Sequence, residues 1–491
     1  MSEAVRTVVI VGGGLAGWFC AARLGHAMQG RALDLRVVRA APRDAVVDPL
    51  DVFCASTLSS LPVALAELGF DERAFMRGCD ATFKLAMEYR GFSATVPRYL
   101  LPFGEIGARL EAVGFHQLVG RLAKSGHAFS LDDFAVPSIA ATLGRFAHPT
   151  RDARSALSTY EYAHHVDVQP FTKLLRSFAE KRGVVAVEED LAHCEADGEF
   201  IRAITLGDGT RLAADLFIDC TGARSMLLGQ ALKTPFESWR AWLPCDSARV
   251  ARLPAAADLP PLTRAQAHAQ GWSWQVPLRG AMETAVFFDS GATAPQAAMQ
   301  WGAIPESSSR EVKFENGIHR DSWRGNCVAI GAAAGFVEPL ASTGLRLIDG
   351  AVTRLVELFP DQGDLRVMAA EYNRLTGALY DRARDFVLLH YLLGARTEGA
   401  QVVPPPASLA RFLDLFEHRG RVSPDEDELF EEDWWACACI GLGVRPAHFS
   451  ILAEQMSEAE LLAQLAKIAR VMRTAVEKLP THRAYLQGYL A

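Results

Sequence analysis

Positive charge is in short supply in this chain: 50 Lys and Arg stand against 58 Asp and Glu, for a net charge of −8. No basic run stands out, which argues against nucleic acid or an anionic membrane surface as partner. Cysteines at metal spacing are also missing. Of the nine Cys, Cys437 and Cys439 stand closer than the usual zinc pairs and have no second half. No metal site is expected, and the thiols read as free, as in a reducing cytoplasm. No apolar run is long enough to span a bilayer, and the N-terminus lacks a basic region leading into an apolar segment with a cleavage site. Internal repeats and low-complexity segments are absent. What is left is a globular chain with a cytoplasmic setting expected. Half its residues are hydrophobic, enough for a sizeable core, and its 491 residues suggest about three domain-sized units.

Against those absences, one stretch near the start is rich in signal. Val8-Val9-Ile10-Val11 is an apolar β-branched run. It enters Gly12-Gly13-Gly14-Leu15-Ala16-Gly17, and the helix-forming Trp18-Phe19-Cys20-Ala21-Ala22-Arg23-Leu24 leaves it. Strand, Gly-x-Gly-x-x-Gly turn and helix follow in the order that binds a dinucleotide. Gly12 permits the tight turn, Gly14 lets backbone approach a pyrophosphate, and Gly17 lets helix and strand pack closely. A Gly-rich turn without a ligand is the plain alternative, and the context favours the ligand.

A second strand, 33–38, ends at Arg39, where such a site usually presents Asp or Glu to the ribose hydroxyls. Guanidinium cannot accept a hydrogen bond, so another group does so or binding is weaker; an Arg there also suits a 2′-phosphate. Further on come an amphipathic helix over 171–179, a buried strand at 184–187 and a β-meander over 193–212 with a Gly207-Asp208-Gly209 turn. Another buried strand, 215–219, ends in Cys220-Thr221-Gly222. Lys84 lies inside the otherwise apolar run 82–87, and 101–104 reads as a turn. Between 223 and 325 short alternating strands include Trp272 and Trp274, which at period two on a strand read first as core. From 345 onward the chain is mostly helical.

Taken as an ordered set, these pieces resemble the flavin-dependent tryptophan halogenase family over nearly the full length. The resemblance rests on the Gly12–Gly17 turn with Trp18, on Thr82-Phe83-Lys84-Leu85, and on Asp215 to Gly222. It rests also on Trp272-x-Trp274-x-Val276-Pro277, on Asn326 to Gly331 running through Phe336 to Leu340, and on Arg382-Ala383-Arg384-Asp385-Phe386 with Leu389-His390-Tyr391. It implies an α/β fold: an FAD-binding Rossmann-like domain of the GR2 flavoprotein monooxygenase and halogenase type, with an inserted β-sheet and a helical C-terminal region. The expected division is an FAD-binding domain over 1–45, 165–225 and 320–360, an inserted substrate-side region over 46–164 and 226–319, and a helical substrate-binding region over 361–491.

The resemblance also implies a chemistry. Reduced FAD from a separate flavin reductase, dioxygen and halide give hypohalous acid. That oxidant passes through a tunnel to Lys84, which presents electrophilic halogen to an electron-rich aromatic, free or within a peptide. An ammonium in a confined apolar channel is a strong donor to the oxygen of hypohalous acid; on residues alone Lys84 reads as a snorkelling Lys. The cofactor is expected against Gly12, Gly14, Leu15, Ala16, Gly17, Arg39, Thr57, Gly222, Gly331, Phe336, Leu347 and Ile348. Halide, such as chloride, is expected at Thr343 and Gly344; a simple helix cap by Ser342 or Thr343 is the plain alternative there, and both can hold at once. Phe103, Trp434 and Trp435 are expected as aromatic walls around the substrate, and the Trp272/Trp274 pair as the wall of the tunnel. A homodimer is a family-based expectation.

Three positions depart from the family pattern. Pro339-Leu340-Ala341-Ser342-Thr343-Gly344 has Ala341 where the family has a glutamate that partners the lysine. Cys54-Ala55-Ser56-Thr57 stands where the family has Gly-Glu-Ala-Thr. Arg39 is the third. These changes keep two alternatives open: a flavin-dependent monooxygenase acting on an aromatic, and a catalytically degenerate FAD-fold protein serving as sensor or assembly partner.

Overall fold

A computed structural model describes residues 5–40, 47–107, 113–127, 129–360, 365–394, 403–422 and 429–491. The chain divides into two compact units, 1–81 with 166–248 and 311–384, and 82–165 with 249–310 and 385–491.

The first unit is built on an eight-stranded sheet. From edge to edge its strands are Trp323–Arg324, Cys327–Ala329, Leu216–Asp219, Thr7–Val11, Asp34–Arg39, Val185–Asp197, Phe200–Leu206 and Arg211–Leu212. The five from Cys327–Ala329 to Val185–Asp197 pair in parallel. Thr7–Val11 is central, and Val8 to Val11 are at most 1 % exposed, as a strand covered on both faces requires. The helix Leu15–Ala27 follows directly and is buried at every residue from Leu15 to Ala22. A helix apolar all round is one enclosed by its neighbours, here Val168–Glu180 and Gly344–Glu357. At the end of Leu216–Asp219 the buried Asp219 carboxylate accepts from the Thr221 hydroxyl at 2.6 Å and from the Leu227 and Leu228 amides at 2.8 and 2.9 Å. It thereby fixes the turn that leaves the strand.

The strand expected at 184–187 starts at Val185, a residue 48 % exposed, and it continues unbroken into the meander. It lies where the parallel sheet gives way to an antiparallel flap, so only part of it is covered.

The second unit carries the strands Ala86–Arg90, Arg98–Pro102, Leu262–His268, Gly271–Pro277 and Ala281–Phe288, five members of a seven-stranded sheet. Trp272 stacks on Phe287 with ring centroids 4.0 Å apart, and Trp274 meets the same ring edge-on. Both Trp are 2 % exposed. Leu101 and Pro102 end a strand rather than form a turn, and the chain leaves the sheet at Phe103. The helix Glu432–Gly441 packs on Arg98–Pro102.

On the solvent side of this sheet Glu88, 3 % exposed, meets three guanidinium groups: Arg264 at 2.6 Å, Arg98 at 2.7 Å and Arg90 at 3.0 Å. Burial pushes its pKa up, but the Arg90 and Arg264 hydrogen bonds outweigh burial and hold it below the usual carboxylate value. The partners are each about one-third exposed or more and keep much of their hydration. Glu88→Gln is therefore expected to cost about 2 kcal/mol, less than a fully enclosed pair would. The sign in pH follows from the depressed pKa. The carboxylate contributes stability above the unfolded value, and that contribution is lost as pH falls through the folded one. Thermal melting should show Glu88→Gln below wild type at pH 7, with the gap closing on acidification.

The unit boundaries differ from the expected division. Residues 47–81 fold with the parallel sheet, because the helices Leu50–Phe53 and Ser60–Glu67 pack on Leu15–Ala27 and Gly344–Glu357. Residues 385–491 fold with the inserted strands rather than apart from them. The expected boundary at 45–46 falls outside the described residues. Among the described residues no helix is long and apolar enough to cross a membrane, and no group of His, Cys, Asp and Glu is arranged to hold a metal.

Candidate active site

In the first unit the Gly-rich turn has the geometry its glycines predict. Gly12 has φ +128°, and a Cβ there would stand 2.0 Å from the Cys220 carbonyl oxygen. A Cβ at Gly17 would stand 1.8 Å from the Gly12 carbonyl oxygen. Helix and strand are in backbone contact at both points. Around this turn the fold gathers Ala16, Gly331 and Ile348: a Cβ on Gly331, φ +71°, would lie 2.8 Å from the Ala16 Cβ and 3.8 Å from Ile348. Gly222, φ +69°, lies beside Asp48. Arg39 ion-pairs with Asp190 at 3.0 Å, and its Cγ lies 3.8 Å from where a Cβ on Gly13 would stand.

Other residues expected at the cofactor lie in the same unit. Phe336 packs on Phe314 and Phe53, at 5.1 and 6.3 Å between centroids. Leu347 is buried on the same helix as Ile348, and Thr57 is fully buried one residue beyond Ser56, whose hydroxyl lies 2.8 Å from that of Ser342.

The Gly-rich turn fits an anion. Gly14 caps the helix Leu15–Ala27 without a side chain, and the Leu15 amide donates at 2.7 Å to a carboxylate, that of Asp51. A negative group at this N-terminus is what free N–H groups and the helix dipole select. The turn therefore suits a dinucleotide's pyrophosphate, with Asp51 standing where such a group would receive its hydrogen bond.

Thr343 and Gly344 form the start of a second helix, Gly344–Glu357. Ser342 before them is left-handed, φ 59°. Thr343 caps that helix without a side-chain bond, and its Oγ1 is buried with no hydrogen-bond partner among the described residues. An unmatched donor at a helix N-terminus fits a small anion. Cys54 faces this point: a Cβ on Gly344 would meet its Sγ at 2.9 Å. Ala341 is fully buried and brings a methyl group.

In the second unit, Lys84 ends the short strand Thr82–Lys84, which pairs antiparallel with Ala163–His165. It is wholly buried, and burial lowers its pKa well below the ordinary lysine value. Its Nζ lies over the Phe103 ring, 5.1 Å from the centroid. The strand register puts Thr82, Lys84 and His165 on one face. Thr82 Oγ1 donates to the Pro277 carbonyl at 2.7 Å, so it must accept from His165 Nδ1 at 3.0 Å. The Thr263 hydroxyl then donates to Nε2 at 2.9 Å. This chain of bonds fixes one neutral tautomer. Burial, and then the nearby Lys84, hold the His165 pKa well below its usual value.

Phe103 and Trp434 stack on each other, with centroids 5.4 Å apart, and Trp434 Nε1 donates to the Pro102 carbonyl at 2.6 Å. A guest ring between two faces needs them roughly 7 Å apart, two van der Waals contacts. Phe103 and Trp434 thus form one wall, and Trp435 turns instead to Phe412 and Phe386. Phe430 extends the stack behind Trp434 at 5.5 Å. The structure brings Lys84, Phe103 and Trp434 together and leaves Trp435 outside that contact.

Asp51, His165, Thr263 and Phe430 were not singled out by sequence. His165 carries the best retrospective signal, a His two residues from Ala163 on a strand opposite the lysine. Asp51 carries none, because its partner lies 36 residues away.

A parallel sheet with a Gly-rich first turn at a helix N-terminus gives the first unit the form of a dinucleotide-binding domain. The family model described as tryptophan halogenase matches residues 7–458, so the chain belongs to the tryptophan halogenase family, whose members are flavin-dependent enzymes. The tryptophan 7-halogenase RebH of Lentzea aerocolonigenes is 32 % identical over 81 % of this chain and 78 % of its own. Two solved flavin-dependent halogenases superpose with a TM-score of 0.92 and cover 99 % of both chains. They are BrvH from Brevundimonas sp. BAL3, 32 % identical, and Xcc4156 from Xanthomonas campestris, 33 % identical.

Proposed function

We propose that this chain oxidises halide with reduced FAD and dioxygen, and that Lys84 presents the resulting electrophilic halogen to an electron-rich ring of the indole or tryptophan type. The observation that carries this reading is the fully buried Lys84 amine over the Phe103 ring. Reduced FAD, when bound, would supply two electrons to dioxygen, and halide the other two, giving hypohalous acid and water.

The chain's own groups do the rest. Gly12, Gly14, Leu15, Ala16 and Gly17 form the seat for the nucleotide, with Arg39, Thr57, Gly222, Gly331, Phe336, Leu347 and Ile348 as the further candidates. Thr343 and Gly344 offer N–H and O–H donors to halide. Lys84 donates an N–H to the oxygen of hypohalous acid and so draws electron density from the halogen; away from water such a bond is stronger. Phe103, backed by Trp434, offers a flat face to the guest ring, with Trp435 further out. Reduced flavin comes from a separate flavin reductase in the cytoplasm.

A second reading starts from Ala341, a methyl where the family pattern has the glutamate that partners the lysine: oxygen transfer to an aromatic by a monooxygenase, in which the oxidant passes oxygen directly to the ring and no halide is oxidised. One incubation separates the two. The protein is mixed with reduced FAD, oxygen, bromide and either indole, tryptophan or a tryptophan-containing peptide, and products are read by mass. A bromine isotope pair supports halogenation, an added oxygen supports the second reading, and unmodified substrate in every arm overturns both.

A further inference from the structure

The anion seat of the nucleotide turn is already filled from within the chain. The Asp51 carboxylate accepts from the Leu15 amide at 2.7 Å, and a Cβ on Gly14 would lie within 2.8 Å of both its oxygens. Asp51 sits on the one-turn helix Leu50–Phe53, whose Leu50 side chain reaches Gly331 and Gly344. Asp48, just before it, stands against Gly222 on the other side of the turn. Two carboxylates therefore face a cradle whose expected guest carries a pyrophosphate.

We infer that Asp51 is an internal competitor for the flavin's pyrophosphate and sets how tightly this chain holds FAD. The carboxylate does for the helix what a phosphate would do: it receives the first free N–H and meets the positive end of the helix dipole. Both anions cannot take the same amide. FAD must displace Asp51 from Leu15, and the displaced charge must move away from the phosphates. Asp48 adds to the conflict. Burial, with Asp51 beside it, pushes its pKa up to about 7, and Arg224 pulls the other way. The pair is thus already short of room for negative charge before any phosphate enters. This competition rests on the reading of the turn as the flavin seat and is independent of Lys84.

The test is binding, not turnover. The full-length protein, Asp51→Ala and Asp51→Asn are titrated with oxidised FAD by fluorescence, and each is melted without FAD. Asp51→Ala should bind FAD at least tenfold tighter while its flavin-free Tm falls, because the helix has lost its cap. Asp51→Asn keeps an acceptor for Leu15 without the charge and should fall between. A residue that merely holds the fold would move both readouts in the same, unfavourable direction. FAD affinity that is unchanged or weaker in Asp51→Ala overturns the competition, and FAD binding absent from all three proteins overturns the seat as well. If Asp51→Ala does not fold, Asp51→Asn decides: no tightening there overturns the competition too.

Discussion

Lys84→Met should lose bromination by roughly 10²–10³-fold, the usual cost of removing one well-placed donor to a developing charge. FAD binding should not change, since Lys84 belongs to neither the Gly-rich turn nor its surrounding helices. Stability should move the other way. Lys84 is wholly buried, and burial alone lowers its pKa. Keeping the amine protonated in the folded state therefore costs stability, and a methionine of similar length removes that cost. The sign in pH is fixed by that lowered value. The penalty is fully present below the folded pKa and fades as pH rises towards the unfolded one, where both states are neutral. The Tm of Lys84→Met should thus exceed wild type at pH 7, with the gap narrowing as pH rises. Mass spectra of products and melting curves from about pH 7 to 10 read both effects. Undiminished bromination in Lys84→Met would remove the lysine from the mechanism.

The same lysine marks how far sequence reaches. On residue type alone, a Lys within an apolar run is a snorkelling side chain; only its place in an ordered set of motifs singled it out, and the fold buries it completely. The Gly-rich turn was legible because its requirements are local. Strand, positive φ and helix follow one another directly along the chain, and Gly12 and Gly17 each have a backbone atom against them. The Trp272/Trp274 pair was legible for a similar reason, since period two on a strand fixes a shared face.

What was not legible depends on partners distant in the chain. His165 needs Thr82 and Thr263 to acquire its tautomer, and neither is its neighbour in sequence. Asp51 needs Leu15. Phe103 and Trp434 were chosen as walls for a guest, yet they stack on each other, a contact between residues far apart in sequence that no spacing rule encodes. The division of the chain was misplaced for the same reason. Helices over 50–67 carry apolar faces, but the sequence does not say which sheet receives them.

Gly17→Ala should damage the first unit severely for the sake of a single methyl group. The added Cβ would fall 1.8 Å from the Gly12 carbonyl oxygen and 3.6 Å from the Cys220 Cβ. The near neighbour is backbone, so no rotamer change relieves it. Gly12 cannot retreat either. Its amide is bonded to the Val38 carbonyl at 2.8 Å, and the Cys220 amide is bonded to the Val11 carbonyl at 2.8 Å. The helix Leu15–Ala27 must then lift from the central strand, and a shift of that kind in a packed core costs about 3 kcal/mol or more, roughly 5–10 °C in Tm. FAD binding should fall with it, because the amide of Leu15 moves away from the seat. Gly13→Ala is the matched control: among the described residues a Cβ there meets nothing closer than 3.8 Å, from Arg39 and Trp18. It should melt within about 1 °C of wild type, as an uncrowded substitution does. If Gly17→Ala melted alongside Gly13→Ala, the close approach of helix to strand would not be what holds the nucleotide turn in shape.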